Sequence, residues 1–404
     1  MPRVPSRTSV PLNWLVTRGL MALMAWAYEW YAGSSDLFYL FGRSRPGETL
    51  TEYPDQSAWF LRIPSLITSD EVVWVALLVA LFLTVDAVAT ALVGRTSRDV
   101  ALAWLWLTCA FGPLTFMRLD LLPSLCVLLA LTWAVARPAV AGALLGFGTM
   151  LKFWPVAVTA SLFGLGRRTL RAAAAFLGVV LACLAITAAT SGIDRILSPL
   201  AWQGGRGLMV DSVWATVPML RRAFDDSIYT VAVSRYAAFE ITGPGVATWL
   251  VVAEVTTVLA LVVVGLLGAL AWWRGERRPA VVALVATASV ALVLATNKTL
   301  SPQFALWLIA AGAVAVGFLS GRRRVLIALW IATIAVLTHL TYPVFAGMLT
   351  TAGPGTKRLL STLVLASRNL ALLVGAVVIA YDAARLMLGR QLVSSASSNQ
   401  ASHS

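Results

Sequence analysis

The chain has little charge. Only 12% of its 404 residues are Asp, Glu, Lys or Arg, about half the share of a soluble globular chain. So few ions cannot coat a water-facing surface of this size, which excludes a cytosolic enzyme. Cysteine is nearly absent: Cys109, Cys126 and Cys183 are the only three. Each lies in an apolar run without metal or redox spacing, so they read as core residues and a disulfide-framed secreted fold is excluded. No Walker loop and no dinucleotide glycine pattern occurs, so nucleotide hydrolysis does not drive this protein. No small-residue cleavage site follows the first apolar run, which is therefore expected to remain as an anchor. An inverted repeat of the kind found in secondary transporters is not evident.

Apolar residues are what the chain does have. They make up 59% of it, with a mean hydropathy of +0.83, which also excludes intrinsic disorder. The apolar stretches have the length of helices rather than of barrel strands. They predict an all-α polytopic membrane protein with about twelve segments, near 14–33, 71–93, 100–117, 121–136, 139–151, 153–165, 172–190, 246–273, 280–296, 305–320, 325–345 and 359–382.

A net charge of +13 would suggest nucleic acid in a soluble protein. Here its distribution gives a different answer. Arginine clusters recur between alternate spans: Arg3, Arg7 and Arg18; Arg95 and Arg98; Arg137; Arg167, Arg168 and Arg171; Arg274, Arg277 and Arg278; Arg322, Arg323 and Arg324; Arg385 and Arg390. Only Asp99, Glu276 and Asp382 accompany them, and the other face is nearly balanced. The positive-inside rule assigns these clusters, and both termini, to the cytoplasm. One stretch is too short for this alternation. Arg137 and Arg167–Arg168 both belong inside, yet only roughly 27 residues separate them, against about 20 for each full crossing. Two short, re-entrant segments meeting at Met150–Pro155 fit better, with Lys152 at the tip of a cavity lip, because non-helical backbone at membrane depth must be buried in protein or face water.

The single membrane domain is expected over residues 1–390, with a disordered cytoplasmic tail at 391–404 rich in Ser, Gln and Asn. Long outer connections fall at 34–70 and 191–245, and loops of such length are usually functional or disordered. The second contains Trp202, Trp214, Tyr229 and Tyr236, which favours packed or membrane-lying helices. Chemistry is therefore expected on the extracytoplasmic side.

Ionisable groups at membrane depth are functional candidates because burial is costly unless they are paired. Asp36 follows the first span directly; it suits either an interfacial helix cap or a general base at the water boundary. Glu52, Tyr53, Pro54 and Asp55 share its loop and read individually as surface residues. Arg118 and Asp120 suit an ion pair or a cavity pair. Lys152, beside Phe153-Trp154-Pro155, suits an anion site more than a snorkelling lysine. Arg206 precedes Gly207, whose freedom lets backbone approach a ligand, and Asp211-Ser212 follow. Asn297-Lys298-Thr299-Leu300-Ser301-Pro302-Gln303 is a dense polar run. His339 precedes Tyr342-Pro343, and Arg368-Asn369 lie well inside the last span. Cations around an outward cavity suit an anionic group such as a lipid phosphate, and a nearby carboxylate suits deprotonation of an acceptor hydroxyl.

These residues also carry a likeness. Asp36-Leu37-Phe38-Tyr39, Tyr53-Pro54, Arg118-Leu119-Asp120-Leu121-Leu122-Pro123, Gly146 through Lys152 to Pro155, Arg206-Gly207-Leu208 with Asp211-Ser212, Asn297-Lys298 with Ser301-Pro302-Gln303, His339 with Tyr342-Pro343, and Arg368-Asn369 occur in this order. As an ordered set the chain resembles glycosyltransferase family 87 of the GT-C superfamily, the actinobacterial polyprenol-phosphate-mannose-dependent mannosyltransferases. The resemblance implies a GT-C fold and an extracytoplasmic active site between the first loop and the helix bundle. It places Asp36 at the family's catalytic aspartate, as base on the acceptor hydroxyl of a glycolipid or glycan. That hydroxyl would attack the anomeric carbon with inversion while the polyprenyl phosphate leaves. Lys152, Arg206, Lys298 and His339 would stabilise the leaving phosphate; Tyr39, Tyr53, Arg118, Asp120, Asp211, Gln303 and Arg368 would bind substrate. No cofactor is implied, and no acidic cluster suggests a catalytic metal. Asp55-Gln56 after Tyr53-Pro54 departs from the family's more aromatic and proline-rich pattern, which points to different acceptor recognition. Two other classes remain open: a transporter or flippase for a lipid-linked sugar, and a non-catalytic scaffold of a cell-envelope complex.

Overall fold

The computed structural model describes residues 9–45, 48, 50–351 and 356–389, with side chains throughout except at 28–36 and 356. The chain is helical almost everywhere. Its helices are α1 (Val10–Met24), α2 (Trp30–Ser44), α3 (Asp55–Ser65), α4 (Glu71–Thr96), α5 (Arg98–Phe111), α6 (Leu121–Trp133), α7 (Pro138–Leu151) and α8 (Arg167–Ser191). These are followed by α9 (Asp194–Gly204), α10 (Thr216–Phe224), α11 (Val246–Arg274), α12 (Pro279–Thr296), α13 (Ala305–Phe318), α14 (Gly321–His339), α15 (Ala346–Thr350) and α16 (Thr356–Leu388). A 3-10 helix covers Trp154–Leu165. One antiparallel hairpin, β1 (Thr230–Val233) with β2 (Phe239–Thr242), pairs Thr230 with Thr242 and Val233 with Phe239. Every apolar span predicted from sequence overlaps helix, as it must where no water satisfies the backbone, although the span expected at 100–117 ends as α-helix at Phe111 and turns through Gly112 into a 3-10 segment, Pro113–Phe116. The protein is a multi-pass membrane protein.

Length sorts the helices into two layers. Among the described residues, six are long and apolar enough to cross a bilayer. Several of these turn rows of leucine and valine outward, including Leu170, Leu177 and Leu181 on α8, Val251, Val255 and Leu266 on α11, and Leu370 and Val377 on α16. Lipid tails receive such faces at no penalty. The core helices are apolar all round and buried all round: every residue from Ala305 to Val316 in α13 and from Val281 to Ala291 in α12 is buried. Among the core elements, α5, α6, α7 and α13 have only 13 or 14 residues. At 1.5 Å per residue they rise about 20 Å, short of the hydrocarbon thickness of about 30 Å. Their ends therefore stop below the rim of the long helices and leave a recess.

The segment 138–165 is the hairpin that the arginines required. Arg168 Nη1 donates to the Val135 carbonyl at 3.0 Å, which brings its two ends together, while Lys152 sits at the opposite tip. The returning arm is 3-10, rising about 2 Å per residue, so its 12 residues match the reach of α7. Glycines let this hairpin pack closely against its neighbours. A Cβ at Gly142 would run into the Ala172 carbonyl, and one at Gly146 would approach the Phe176 carbonyl to 2.7 Å, so α7 meets α8 across a small-xxx-small stripe.

Charges placed on one face by sequence do meet there: Arg324 pairs with Asp99 at 2.7 Å, Arg323 with Asp382 at 2.7 Å, and Arg278 with Glu276 at 2.6 Å. Arg18 is a correction. It is not a loop charge but a buried residue of α1, bound through two nitrogens to Asp86 on α4 at 2.9 Å each. Trp14 and Trp104 complete the carboxylate's partners. The outer connection 34–70 is likewise shorter than expected, because α2 continues to Ser44. Asp36 falls inside that helix rather than at a cap, and its side chain lies outside the described residues. The segment 390–404 also lies outside them.

Candidate functional site

The recess is a cavity of about 320 Å³ at the end of the bundle remote from the arginine clusters. Its floor comes from the turns that end the short core helices. Lys152, extended at the end of α7, sends Nζ to both oxygens of Asp120 at 2.8 and 2.9 Å. Asp120 also accepts from Trp307 Nε1 at 2.6 Å and is fully buried. Around the ammonium stand the rings of Tyr53, Phe304 and Trp307, at 4.9, 4.7 and 5.4 Å, a cation–π enclosure that holds the charge while leaving it facing the cavity. Trp307 is itself stacked between Trp154 and Phe304. Arg118, from the same turn as Asp120, donates to the Tyr342 hydroxyl at 3.2 Å and to the Met117 carbonyl.

A loop strapped to the core forms the opposing wall. Residues 208–210 lie along β2, with Val210 N–H donating to Phe239 and Ile241 N–H to Leu208. Ser212 Oγ donates to the Asn297 carbonyl at 2.9 Å, and Trp214 Nε1 to that of Thr296 at 3.1 Å. Asn369 Nδ2 donates to the Ser212 carbonyl and to Thr216. These bonds fix Arg206 and Asp211 on the cavity wall. Arg206 Nη2 donates to the Tyr236 carbonyl at 3.1 Å, while its buried Nε has no hydrogen-bond partner among the described residues. Burial pulls the guanidinium below the ordinary arginine value, against the opposing pull of Tyr53, Glu240 and Glu52. Asp211 is bound by Arg368, through its carboxylate at 3.2 Å and through its carbonyl.

The first connection supplies the third side. Arg195 donates to the carbonyls of Leu50 and Tyr53 at 2.8 and 2.7 Å and lies 3.6 Å from Asp55. Ser57 Oγ donates to the Leu151 carbonyl at 2.6 Å, next to Lys152. Gln56 Nε2 donates to Cys183 and Thr187 on α8. Asp55 and Gln56, expected as surface and recognition residues, are buried instead and anchor the start of α3. Tyr53 is thereby set over Lys152, and Glu52 beside it accepts from the Tyr39 hydroxyl at 2.7 Å. Burial, and then that carboxylate, push the Tyr39 hydroxyl up to about 12, so it stays protonated and donates.

Of the residues singled out from sequence, Tyr39, Tyr53, Arg118, Lys152, Arg206, Asp211 and Gln303 line the cavity together. Four others do not. Lys298 turns away to Glu254 at 3.0 Å. Asp120 and Arg368 lie behind the wall as partners of Lys152 and Asp211. His339 is buried over Gly112, where any Cβ would strike its ring, with Nδ1 2.9 Å from the Phe111 carbonyl. It fastens α14 to α5. Sequence reasoning undervalued Glu52, read Tyr236 only as a packing aromatic and passed over Gln203, all on the cavity wall. Adjacency to Tyr53-Pro54 was the one signal for Glu52. Among the described residues no three His, Cys, Asp or Glu side chains converge as a metal site requires.

Fold and cavity together define a helical membrane protein with a recessed, mixed-charge pocket at one end. The model of glycosyltransferase family 87 matches residues 51–296, more than half of the sequence, and the chain belongs to that family. The protein is a membrane glycosyltransferase. No curated protein and no solved structure matches the chain. The matched span holds Glu52, Tyr53, Arg118, Lys152, Arg206 and Asp211, whereas Asp36, Tyr39 and Gln303 fall outside it.

Proposed function

We propose that the protein transfers a sugar, mannose by the resemblance, from a polyprenyl-phosphate donor to a glycolipid or glycan acceptor at the extracytoplasmic face. The observation that carries this reading is the convergence of Lys152, Arg118 and Arg206 on one cavity with Tyr39, Tyr53 and Gln303. Guanidinium and ammonium groups bind phosphate oxygens through charge-assisted hydrogen bonds, and stabilising the departing phosphate lowers the barrier to its loss. Asp36 takes the proton from the acceptor hydroxyl, whose oxygen attacks the anomeric carbon from the face opposite the phosphate. An inverted glycoside and a free polyprenyl phosphate result. Placement of the cavity opposite the arginine clusters supports an extracytoplasmic reaction, because those clusters mark the cytoplasmic side.

Transfer is favoured over transport by the match to a glycosyltransferase family, and the helices that begin at the pocket are consistent with it. Leu121, Leu125, Leu306 and Ile309 are all buried there in close-packed core helices. Membranes containing the protein and a radiolabelled polyprenyl-phosphate mannose test the proposal: label moves to a glycolipid, and Asp36→Asn abolishes the transfer. Transfer at the wild-type rate in that variant overturns the assignment of the base.

A further inference from the structure

The carboxylates on the cavity side of the bundle are distinguished by their partners. Asp120 is paired with Lys152, Asp211 with Arg368, Asp55 with Arg195 and Glu254 with Lys298. Glu240 and Glu52 both form no salt bridge among the described residues, but of the two it is Glu52 that lines the cavity. One of its oxygens takes the Tyr39 hydroxyl at 2.7 Å, and the other, Oε2, is buried with no hydrogen-bond partner. An ionised carboxylate is an acceptor with about four lone-pair sites, and leaving one oxygen unsatisfied in a buried position is costly unless a ligand satisfies it. Nothing about an anion site calls for this group, since its charge repels phosphate. It suits a neutral partner rich in hydroxyl donors.

We propose that Glu52 is the sugar-recognising residue of the cavity, accepting hydrogen bonds from hydroxyls of the donor's glycosyl group while Tyr39 holds its carboxylate in place. The assignment rests on the lipid-phosphate donor reading above and adds to it the residue that tells a glycosylated lipid phosphate from a bare one. The pocket then has two halves with opposite preferences. Lys152, Arg118 and Arg206 take the phosphate; Glu52 and Tyr39 take the sugar. Tyr39 cannot exchange roles, because its proton is held well above the neutral range and is already given to Glu52.

The test is a binding titration of the full-length protein in nanodiscs. The probes are farnesyl phosphate and farnesyl phosphate carrying mannose, glucose or arabinofuranose. Wild-type protein binds at least one sugar-bearing lipid more tightly than farnesyl phosphate. Glu52→Gln weakens that lipid by about tenfold or more, the worth of hydrogen bonds to a charged acceptor, and leaves farnesyl phosphate unchanged or tighter as the repulsion is removed. Tyr39→Phe keeps the charge but frees the carboxylate, and gives a smaller loss in the same direction. Equal weakening of all lipids by Glu52→Gln would mean that the residue only supports the fold, and the proposal fails. It fails equally if Glu52→Gln changes nothing, or if wild-type protein binds sugar-bearing and bare lipids alike; in both cases the phosphate reading stands. If wild-type protein binds none of the four, both readings fall.

Discussion

The Lys152–Asp120 pair allows its structural and functional roles to be separated by a double-mutant cycle. Lys152→Met leaves the Asp120 carboxylate fully buried with Trp307 Nε1 as its sole remaining donor among the contacts described above. Breaking a buried pair in this way costs roughly 3–5 kcal/mol. The low end, about 3 kcal/mol, applies because the Lys152 side chain retains 15% exposure to the cavity, where water partly screens the charge. Asp120→Asn leaves the ammonium within its three rings and facing the cavity, and costs less, about 2 kcal/mol. The double variant buries no unpaired charge, so its loss should be smaller than that of Lys152→Met alone, a coupling of at least about 2 kcal/mol. Reversible SDS unfolding in bicelles measures the stabilities, and the labelled-donor assay measures transfer. The double variant should fold yet remain inactive, because Lys152 is also proposed to meet the donor phosphate. Additive stability losses would refute the pairing argument. Recovered transfer in the double variant would show that Lys152 serves only Asp120.

Three further outcomes follow from packing and pairing. Gly142→Val should destabilise by more than about 2 kcal/mol in the same unfolding assay, because α7 and α8 must separate; Gly178→Ala, with open space at its Cβ, should be neutral or stabilising. Arg18→Met should cost roughly 3–5 kcal/mol by stranding the buried Asp86, whereas Arg324→Ala, part of a half-exposed pair, should stay within about 1 kcal/mol. His339→Ala should lower stability by about 1–2 kcal/mol through loss of its bond to Phe111 and of packing over Gly112, with donor affinity altered less than twofold in the farnesyl-lipid titration. A tenfold loss there would return His339 to the phosphate site.

How much was legible in the sequence follows from which interactions are local. Helix positions were legible because a bilayer admits no unsatisfied backbone, so hydropathy alone marks each span. The hairpin at 138–165 was legible from arithmetic, since two arginine clusters on one face stood too close for two full crossings. Pairings were not. Asp120 and Lys152 are 32 residues apart, and Arg18 and Asp86 are 68 apart, so no sequence window contains both partners. Arg18 therefore looked like the neighbouring loop arginines, although its charge is spent on a buried aspartate. Burial of Asp55 and Gln56 was hidden for the same reason: their partners lie on α8 and α9.

Low charge content turns out to constrain the site more tightly than any motif does. With so few ions available, a carboxylate in the membrane-embedded half of the molecule is tolerated when a specific cation accompanies it. Asp86, Asp120 and Asp211 all obey this, and each can be assigned to structure on that ground alone. For cations, pairing alone does not decide. Lys152 is paired yet lines the cavity, whereas Lys298 and Arg368, expected as phosphate and substrate ligands, are held off it by their acidic partners. Arg206 on the cavity wall keeps a buried nitrogen without a hydrogen-bond partner among the described residues. Cavity-lining groups that the protein itself leaves short of a hydrogen bond are the ones open to a substrate. By that criterion the phosphate of the proposed donor is set beside Arg206, and its proposed sugar beside Glu52.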